Sequence, residues 1–88
     1  MIEVVYAPSF VKQFQTLEKN LAEEALEKIE LFKNRRNHKQ LKVHKLKGPF
    51  SGWYSFSVNY RIRILFEYPL KSRKEVLLLA IDDHDIYR

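Results

Sequence analysis

The stretch that decides the fold is YSFSVNYRIRILF, at residues 54–66. Large apolar residues recur at every second position on both sides of its centre, a spacing typical of two β-strands that each bury one face. A turn at residues 59–61 would pair Val58 with Ile62, whereas a two-residue turn would pair Val58 with Arg61. Hydrophobic patterning therefore predicts a β-hairpin with the three-residue turn. Its buried face then holds Tyr54, Phe56, Val58, Ile62, Ile64 and Phe66.

The other face of this predicted hairpin is polar. The three-residue turn brings Ser55, Ser57 and Arg63 together there. Because helices are expected on the buried side, we expect the polar face to be open and available for chemistry.

The N-terminal half predicts one strand and two helices. Residues 2–6 are β-branched and aromatic and predict a strand that Pro8 ends, after which Ser9 is expected to cap the first helix. The first apolar helical face is formed by Phe10, Phe14, Leu17 and Leu21. A second helix is predicted from Asn20, with Glu23 in a capping-box-like position. Its apolar stripe holds Ala22, Ala25, Leu26, Ile29 and Phe32. We expect an antiparallel helical hairpin, with one bent helix as the alternative.

The C-terminal half predicts strands and turns. The sequence period changes to two from Leu41 onward, a loop follows Leu46, and residues 69–74 form a basic turn. Residues 76–81 are apolar without alternation, which indicates a central strand covered on both sides. We therefore expect residues 1–88 to form one α+β domain. It would have a twisted, mainly antiparallel β-sheet with an N-terminal helical hairpin packed on one face, in the order β-α-α-β-β-β.

Composition limits both the chemistry and the compartment. The 88 residues include no cysteine, which removes disulfides, zinc–thiolate sites and thiol nucleophiles and suits a reducing compartment. Sixteen Lys and Arg against eleven Asp and Glu give a net charge of +5, which favours nucleic acid or an acidic protein segment as a partner. The positive charge is concentrated at residues 33–47. No apolar run is long enough to span a membrane and no signal peptide is apparent, so we expect a cytoplasmic protein with no membrane partner.

Four short segments, taken in order, resemble the RelE/ParE toxin superfamily, especially its YoeB-like and YafQ-like branches. They are HKLKG at residues 44–48, GWY at residues 52–54, RILF at residues 63–66, and the terminal pair His84 and Tyr87. The expected element order agrees with a RelE-like fold, so the resemblance covers the whole chain as a single toxin domain. It implies the toxin of a type II toxin–antitoxin system. Such a protein is an endoribonuclease, or mRNA interferase, that cuts messenger RNA on the ribosome and is neutralised by a cognate antitoxin.

The resemblance also implies a metal-independent site without a cofactor, in which four residues are catalytic. His44 would take the ribose 2′ proton and His84 would protonate the leaving 5′-oxygen, although these two assignments are interchangeable. Arg63 would hold the phosphate, and Tyr87 would stack on or position a base. The residues expected to bind the RNA backbone are Lys42, Lys45, Lys47, Arg61 and Arg88.

Each of these residues also has a plain structural explanation. His44 could be a surface histidine, His84 a terminal residue balanced by aspartates, and Arg63 an ion-pair partner on the sheet. Tyr87 could cover the sheet edge, and His38 is expected to be solvated. The histidines lack a spacing that would preset a metal site, so none is predicted. Two functional alternatives stay open: a ParE-like non-catalytic poison of DNA gyrase, and an inactive module that only binds RNA or an antitoxin.

Overall fold

The computed structural model describes residues 1–83, which form a five-stranded sheet and two α-helices. The elements are β1 (Glu3–Tyr6), α1 (Pro8–Gln15), α2 (Lys19–Phe32), β2 (His44–Lys45), β3 (Tyr54–Ser57), β4 (Ile62–Glu67) and β5 (Glu75–Asp83). The strand order is β1-β5-β4-β3-β2; β1 is parallel to β5, and every other pairing is antiparallel. The predicted α+β fold is therefore confirmed, with the two-residue strand β2 added to the predicted order. Within residues 1–83, no helix is long and apolar enough to cross a membrane.

The β3–β4 hairpin has the predicted register. The backbone N–H of Val58 donates to the carbonyl of Ile62 at 2.8 Å, which closes the turn over residues 59–61. The side-chain oxygen of Asn59 accepts from the backbone N–H groups two and three positions on, each at 2.8 Å. An Asn at this position therefore fixes the turn that the apolar pattern requires.

The core lies between α2 and the hairpin. The ring of Phe32, at the end of α2, stacks on Phe56 of β3 with centroids 4.3 Å apart and meets Phe66 of β4 edge-on at 4.9 Å. All three rings are fully buried, as are Ala25 and Ile29 on the same face of α2. The apolar side of the hairpin is thus covered by the helical stripe that the sequence predicts.

The first helix begins differently from the prediction. Ala7 is the N-cap of α1 and Pro8 its first residue, and no side chain caps the helix. Proline suits this position because its missing N–H would have no partner there. Ser9 therefore does not cap the helix; its hydroxyl donates to the carbonyl of Leu79 in β5 at 2.7 Å. Because α1 ends at Gln15, before α2 begins, the helices are separate elements and not one bent helix.

The second helix begins before the predicted residue. The carboxylate of Glu18 accepts from the backbone N–H of Leu21 at 2.8 Å and so caps a helix that starts at Lys19. The predicted start at Asn20 is wrong because Glu18 supplies the capping oxygen. The predicted stripe is also too wide, since Leu26 is 46% exposed.

The interior strand β5 is fully buried on one face only. Val76, Leu78 and Ile81 are buried, while the residues between them are half-buried. Leu78 and Ala80 pair with consecutive residues of β4, so Leu79 is an extra residue in a β-bulge. The expectation that β5 is covered on both faces is therefore wrong. The bulge at Leu79 interrupts the alternation of buried and half-buried residues along the strand.

Candidate active site

Strand pairing brings the polar residues of the sheet onto one face. Ser55 of β3 lies opposite His44 of β2, and Ser57, two residues on, lies opposite Arg63 of β4. Arg63 in turn lies opposite Asp82 of β5. Directly paired residues point to the same face of a sheet, and so do residues two apart on one strand. The face opposite to the aromatic core therefore holds all five of these residues.

The Arg63 guanidinium reaches across this face. Its Nη1 donates to the Ser55 hydroxyl at 3.4 Å, which directs the side chain toward the strand pair that contains His44. Burial lowers the pKa of the guanidinium, which is half-buried. Arg63 still carries its charge, because a guanidinium is not deprotonated in proteins at physiological pH. A partly desolvated cation attracts a phosphate more strongly than a cation in bulk water does, so this arrangement suits an anion.

His44 is exposed on the edge strand β2 and has a defined tautomer. Its Nδ1 lies 2.9 Å from the carbonyl oxygen of Lys42. A carbonyl only accepts hydrogen bonds, so Nδ1 carries the proton of the neutral ring and Nε2 is the basic nitrogen. Lys42 has a φ of 57°, in the left-handed region, and reverses the chain just before β2. This local turn therefore determines which ring nitrogen of His44 can accept a proton.

The centre of the polar face is less open than the sequence predicts. Ser55 is 1% exposed, and so is its β4 partner Leu65. Ser57 and Arg63 are half-buried, whereas His44 is exposed. Ser55 lies between His44 of β2 and Leu65 of β4. The accessible part of the face is thus at its margin, near His44.

The predicted RNA-binding residues divide between the two sides of β2. Lys42 turns the chain next to His44, whereas Lys45 pairs with Tyr54 and so points to the opposite face. Arg61 lies in the hairpin turn at one end of the sheet. The residues of this set that the structure describes are all exposed: Lys42, Lys45, Lys47 and Arg61.

Three of the predicted site residues, His84, Tyr87 and Arg88, lie outside the described residues. Strand β5 is described as far as Asp83, which pairs with Ile62. The roles predicted for these three residues therefore stay predictions.

Asp82 is a candidate site residue that sequence reasoning missed. It lies opposite Arg63 in the register of the β4–β5 pair. The bulge at Leu79 decides that Asp82, and not Asp83, lies opposite Arg63, so no local signal in the sequence identifies it. In the part of the chain that the structure describes, no three His, Asp or Glu side chains are grouped to hold a metal ion.

His38 is not solvated, contrary to the prediction. Its ring stacks on Phe32 with centroids 4.6 Å apart, and its Nε2 lies 2.8 Å from the Phe32 carbonyl oxygen. Burial lowers the pKa of His38; the hydrogen bond to Phe32 raises this pKa, and the charge of Arg35 lowers it. The lowering prevails, so the ring favours its neutral form. His38 is therefore part of the packing at the end of α2.

Comparison with known proteins bears on the fold. No protein-family model and no curated protein matches the sequence. A chain of the archaeal RelE–RelB complex from Pyrococcus horikoshii is similar with a TM-score of 0.71 at 20% identity, over 93% of this chain and 93% of that chain. A chain of the YoeB–YefM complex from Staphylococcus aureus gives a TM-score of 0.69 at 16% identity, over 96% and 98%. A chain of the Escherichia coli RelBE complex gives 0.69 at 12% identity, over 93% and 95%. The protein therefore has a RelE-like fold, as the resemblance implied.

Proposed function

We propose that this protein is the toxin of a type II toxin–antitoxin system and an endoribonuclease that cleaves messenger RNA on the ribosome without a metal ion. The observation that carries the proposal is the convergence of His44 and Arg63 on Ser55. His44 lies opposite Ser55 in the sheet, and Arg63 donates to its hydroxyl at 3.4 Å. A proton acceptor and a phosphate-binding cation thus share one face of a RelE-like sheet.

The proposed reaction is a transesterification within the RNA chain. Nε2 of His44 takes the proton of a ribose 2′-hydroxyl, and the 2′-oxygen attacks the adjacent phosphorus. Arg63 binds the non-bridging phosphate oxygens as negative charge develops on them. His84 gives a proton to the 5′-oxygen while the bond between phosphorus and that oxygen breaks. The products are a 2′,3′-cyclic phosphate and a free 5′-hydroxyl.

The surroundings of this face suit RNA as the substrate. Lys42 and Arg61 are exposed and are proposed to contact neighbouring backbone phosphates, and Lys47 and Arg88 are proposed to extend that contact. Tyr87 is proposed to stack on a base beside the scissile bond. Histidine changes its charge near neutral pH, and acid–base catalysis by such groups typically contributes about 10²–10⁴-fold. This chemistry needs no bound cofactor.

The proposed partner is a cognate antitoxin. The fold is similar to chains of the YoeB–YefM toxin–antitoxin complex from Staphylococcus aureus and of the Escherichia coli RelBE toxin–antitoxin complex. With a net charge of +5, the chain would attract an acidic, partly disordered segment that folds over its basic surface. Such a segment would neutralise the toxin by covering Arg63.

The central test incubates the purified protein with ribosomes that translate a defined message, followed by mapping of the RNA ends. We expect cuts at codon spacing that carry a 2′,3′-cyclic phosphate. Arg63→Ala and His84→Ala should each lower the cleavage rate by about 10²–10³-fold. Lys12→Ala is the matched control, because it removes an exposed positive charge from α1, away from the sheet face.

Other outcomes would select the alternative functions. Inhibition of gyrase supercoiling without RNA cleavage would contradict the proposal and indicate a ParE-like poison. Binding of RNA or of an antitoxin without cleavage would indicate an inactive binding module. Cleavage that survives His44→Ala would remove that residue from the role of base while the remaining assignments stand.

A further inference from the structure

A pocket lined by basic and aromatic residues lies on the opposite side of β2 from His44. It is lined by Lys45, Tyr54, Tyr68, Lys71 and Arg73, and we call it the Arg73 pocket. Its volume of about 370 Å³ is in the range of small-ligand sites. Among the described residues, no carboxylate lines it. The pocket therefore combines positive charge with aromatic surface.

The Arg73 side chain is held against two tyrosine rings. Its guanidinium carbon lies 4.8 Å from the ring centroid of Tyr68 and 5.6 Å from that of Tyr54. Its Nη2 donates to the Tyr54 hydroxyl at 3.0 Å. Arg73 is nevertheless exposed to solvent. A guanidinium plane that is fixed on one side by aromatic rings and reached by solvent presents a flat, charged surface to a ligand.

The backbone of Arg73 is held in an unusual conformation. Its φ of 57° is in the left-handed region, which residues with a side chain seldom adopt. The Arg35 guanidinium donates to the carbonyl of Arg73, and the Arg73 N–H donates to the carbonyl of Leu70 at 3.1 Å. Such conformations occur preferentially at ligand clamps, where the surrounding structure maintains them.

We infer that the Arg73 pocket binds one nucleotide of the RNA strand, with its base stacked on the Arg73 guanidinium and its phosphate beside Lys45 and Lys71. A nucleotide carries both a planar π-system and a negative charge, and the pocket offers a partner for each. An acidic peptide would use only the cations and would leave the stacked surface without a partner.

The position of the pocket relative to His44 supports this inference. The inference rests on the proposed function, because that function identifies the bound nucleic acid as RNA. His44 and Lys45 are consecutive residues of β2, so their side chains point to opposite faces. Strand β2 is at the edge of the sheet, with β3 as its sheet neighbour. An RNA strand that passes over this edge can therefore present one phosphate to His44 and a nearby nucleotide to the Arg73 pocket.

The test measures binding without cleavage. A fluorescent RNA oligonucleotide with 2′-O-methyl groups throughout has no 2′-hydroxyl to react, and its affinity for the protein can be followed by anisotropy. We expect Arg73→Ala to weaken binding about tenfold through loss of stacking. Lys71→Ala should reduce the slope of log affinity against log salt by about 1. Lys12→Ala, the control for loss of an exposed positive charge, should leave both quantities unchanged.

The chemical class of the ligand is tested by NMR titration with AMP, adenosine, inorganic phosphate and a polyglutamate peptide. We expect AMP to shift the NMR signals of Tyr54, Tyr68 and Arg73 more strongly than adenosine or phosphate does. An equal response to phosphate alone would reduce the pocket to a simple anion site and overturn the inference. A response to the peptide but not to AMP would overturn it in favour of a protein-binding surface.

The failure of this inference is distinguishable from failure of the proposed function. If the protein cleaves RNA while both pocket variants bind the oligonucleotide like the parent, the inference is wrong and the ribonuclease stands. If the pocket binds AMP and the variants lose RNA affinity, but no RNA is cleaved, the inference stands and the ribonuclease is wrong. Lys71 lies in an exposed turn, so its variant keeps the test valid even if Arg73→Ala does not fold.

Discussion

The two faces of the sheet differ in what their residues do. Under the helices, Phe32, Phe56 and Phe66 are fully buried and pack ring against ring. On the other face, a half-buried Arg63 and an exposed His44 lie on either side of the buried Ser55. Burial of apolar area stabilises the fold, whereas a desolvated charge lowers stability unless a partner compensates it. The comparison teaches that one face stabilises the fold, whereas the other holds the residues proposed for chemistry, so mutations should separate the two effects.

The largest effect on stability is expected on the helix-covered face. Phe32→Ala removes the ring that joins α2 to β3 and β4 and should lower the free energy of unfolding by about 3–5 kcal/mol, as measured by urea denaturation. Leu26→Ala is the control on the same helix, because Leu26 is 46% exposed. Its cost should stay under about 1 kcal/mol. Similar losses in both variants would contradict the view that the buried aromatic layer dominates stability.

A substitution on the polar face should lower the cleavage rate and leave the free energy of unfolding nearly unchanged. Arg63→Lys keeps the positive charge but loses the planar fork that binds two phosphate oxygens, so cleavage of a ribosome-bound message should slow by about 10–100-fold. The free energy of unfolding should change by less than about 1 kcal/mol, because the side chain is only half-buried. Single-turnover cleavage and urea denaturation measure the two quantities. A parallel fall in both would show that the faces are not separable.

A smaller effect is expected at the start of α2. Glu18→Ala removes the carboxylate that accepts from the Leu21 N–H at 2.8 Å and should lower the free energy of unfolding by about 1 kcal/mol. Glu18→Gln keeps a capping oxygen and should lose less. Glu27→Ala, at an exposed position within α2, is the control for loss of a carboxylate from this helix. Equal losses for Glu18→Ala and Glu27→Ala would argue against the capping role.

The smallest expected effect is a pH dependence at the edge of the aromatic layer. Burial lowers the pKa of His38, so the unfolded chain, with a pKa of about 6.5, takes up a proton before the folded protein does. Stability should therefore be unaffected by this group above about pH 6.5 and should fall as the pH is lowered through that value. Urea denaturation between about pH 7.5 and about pH 5.5 measures the trend. His38→Gln should flatten it, and an identical slope in that variant would assign the dependence to other groups.

The parts of the fold that sequence predicts are those set by neighbouring residues. In the hairpin, alternation selects one register over the others, because a slip of one residue would turn Phe56 and Ile64 to the wrong face. The same register puts Ser55, Ser57 and Arg63 on the polar face, and the strand pairing agrees.

The parts that sequence did not predict depend on contacts between distant segments. The bulge in β5 is held by α1: Ser9 donates to the Leu79 carbonyl at 2.7 Å, and Gln13 accepts from the Ile81 N–H at 2.9 Å. These bonds join residues about 70 positions apart. The bulge changes which residues of β5 point to each face of the sheet, and Asp82 lies opposite Arg63 as a result. The burial of Ser55 is likewise a property of the folded sheet, in which it pairs with His44 and Leu65. Periodicity within one segment contains no information about either feature.

The placement of β5 between β1 and β4 also bears on how the protein is made. Strand β1 has β5 as its sheet neighbour, and β2, β3 and β4 form a separate antiparallel meander until β5 joins them. On the translating ribosome, β5 is synthesised after the other four strands. A nascent chain that lacks residues 75–83 therefore has no backbone link between its first strand and the meander, and it has no partner strand for Arg63 on the Asp82 side. Assembly of the candidate catalytic surface therefore waits until β5 has been translated.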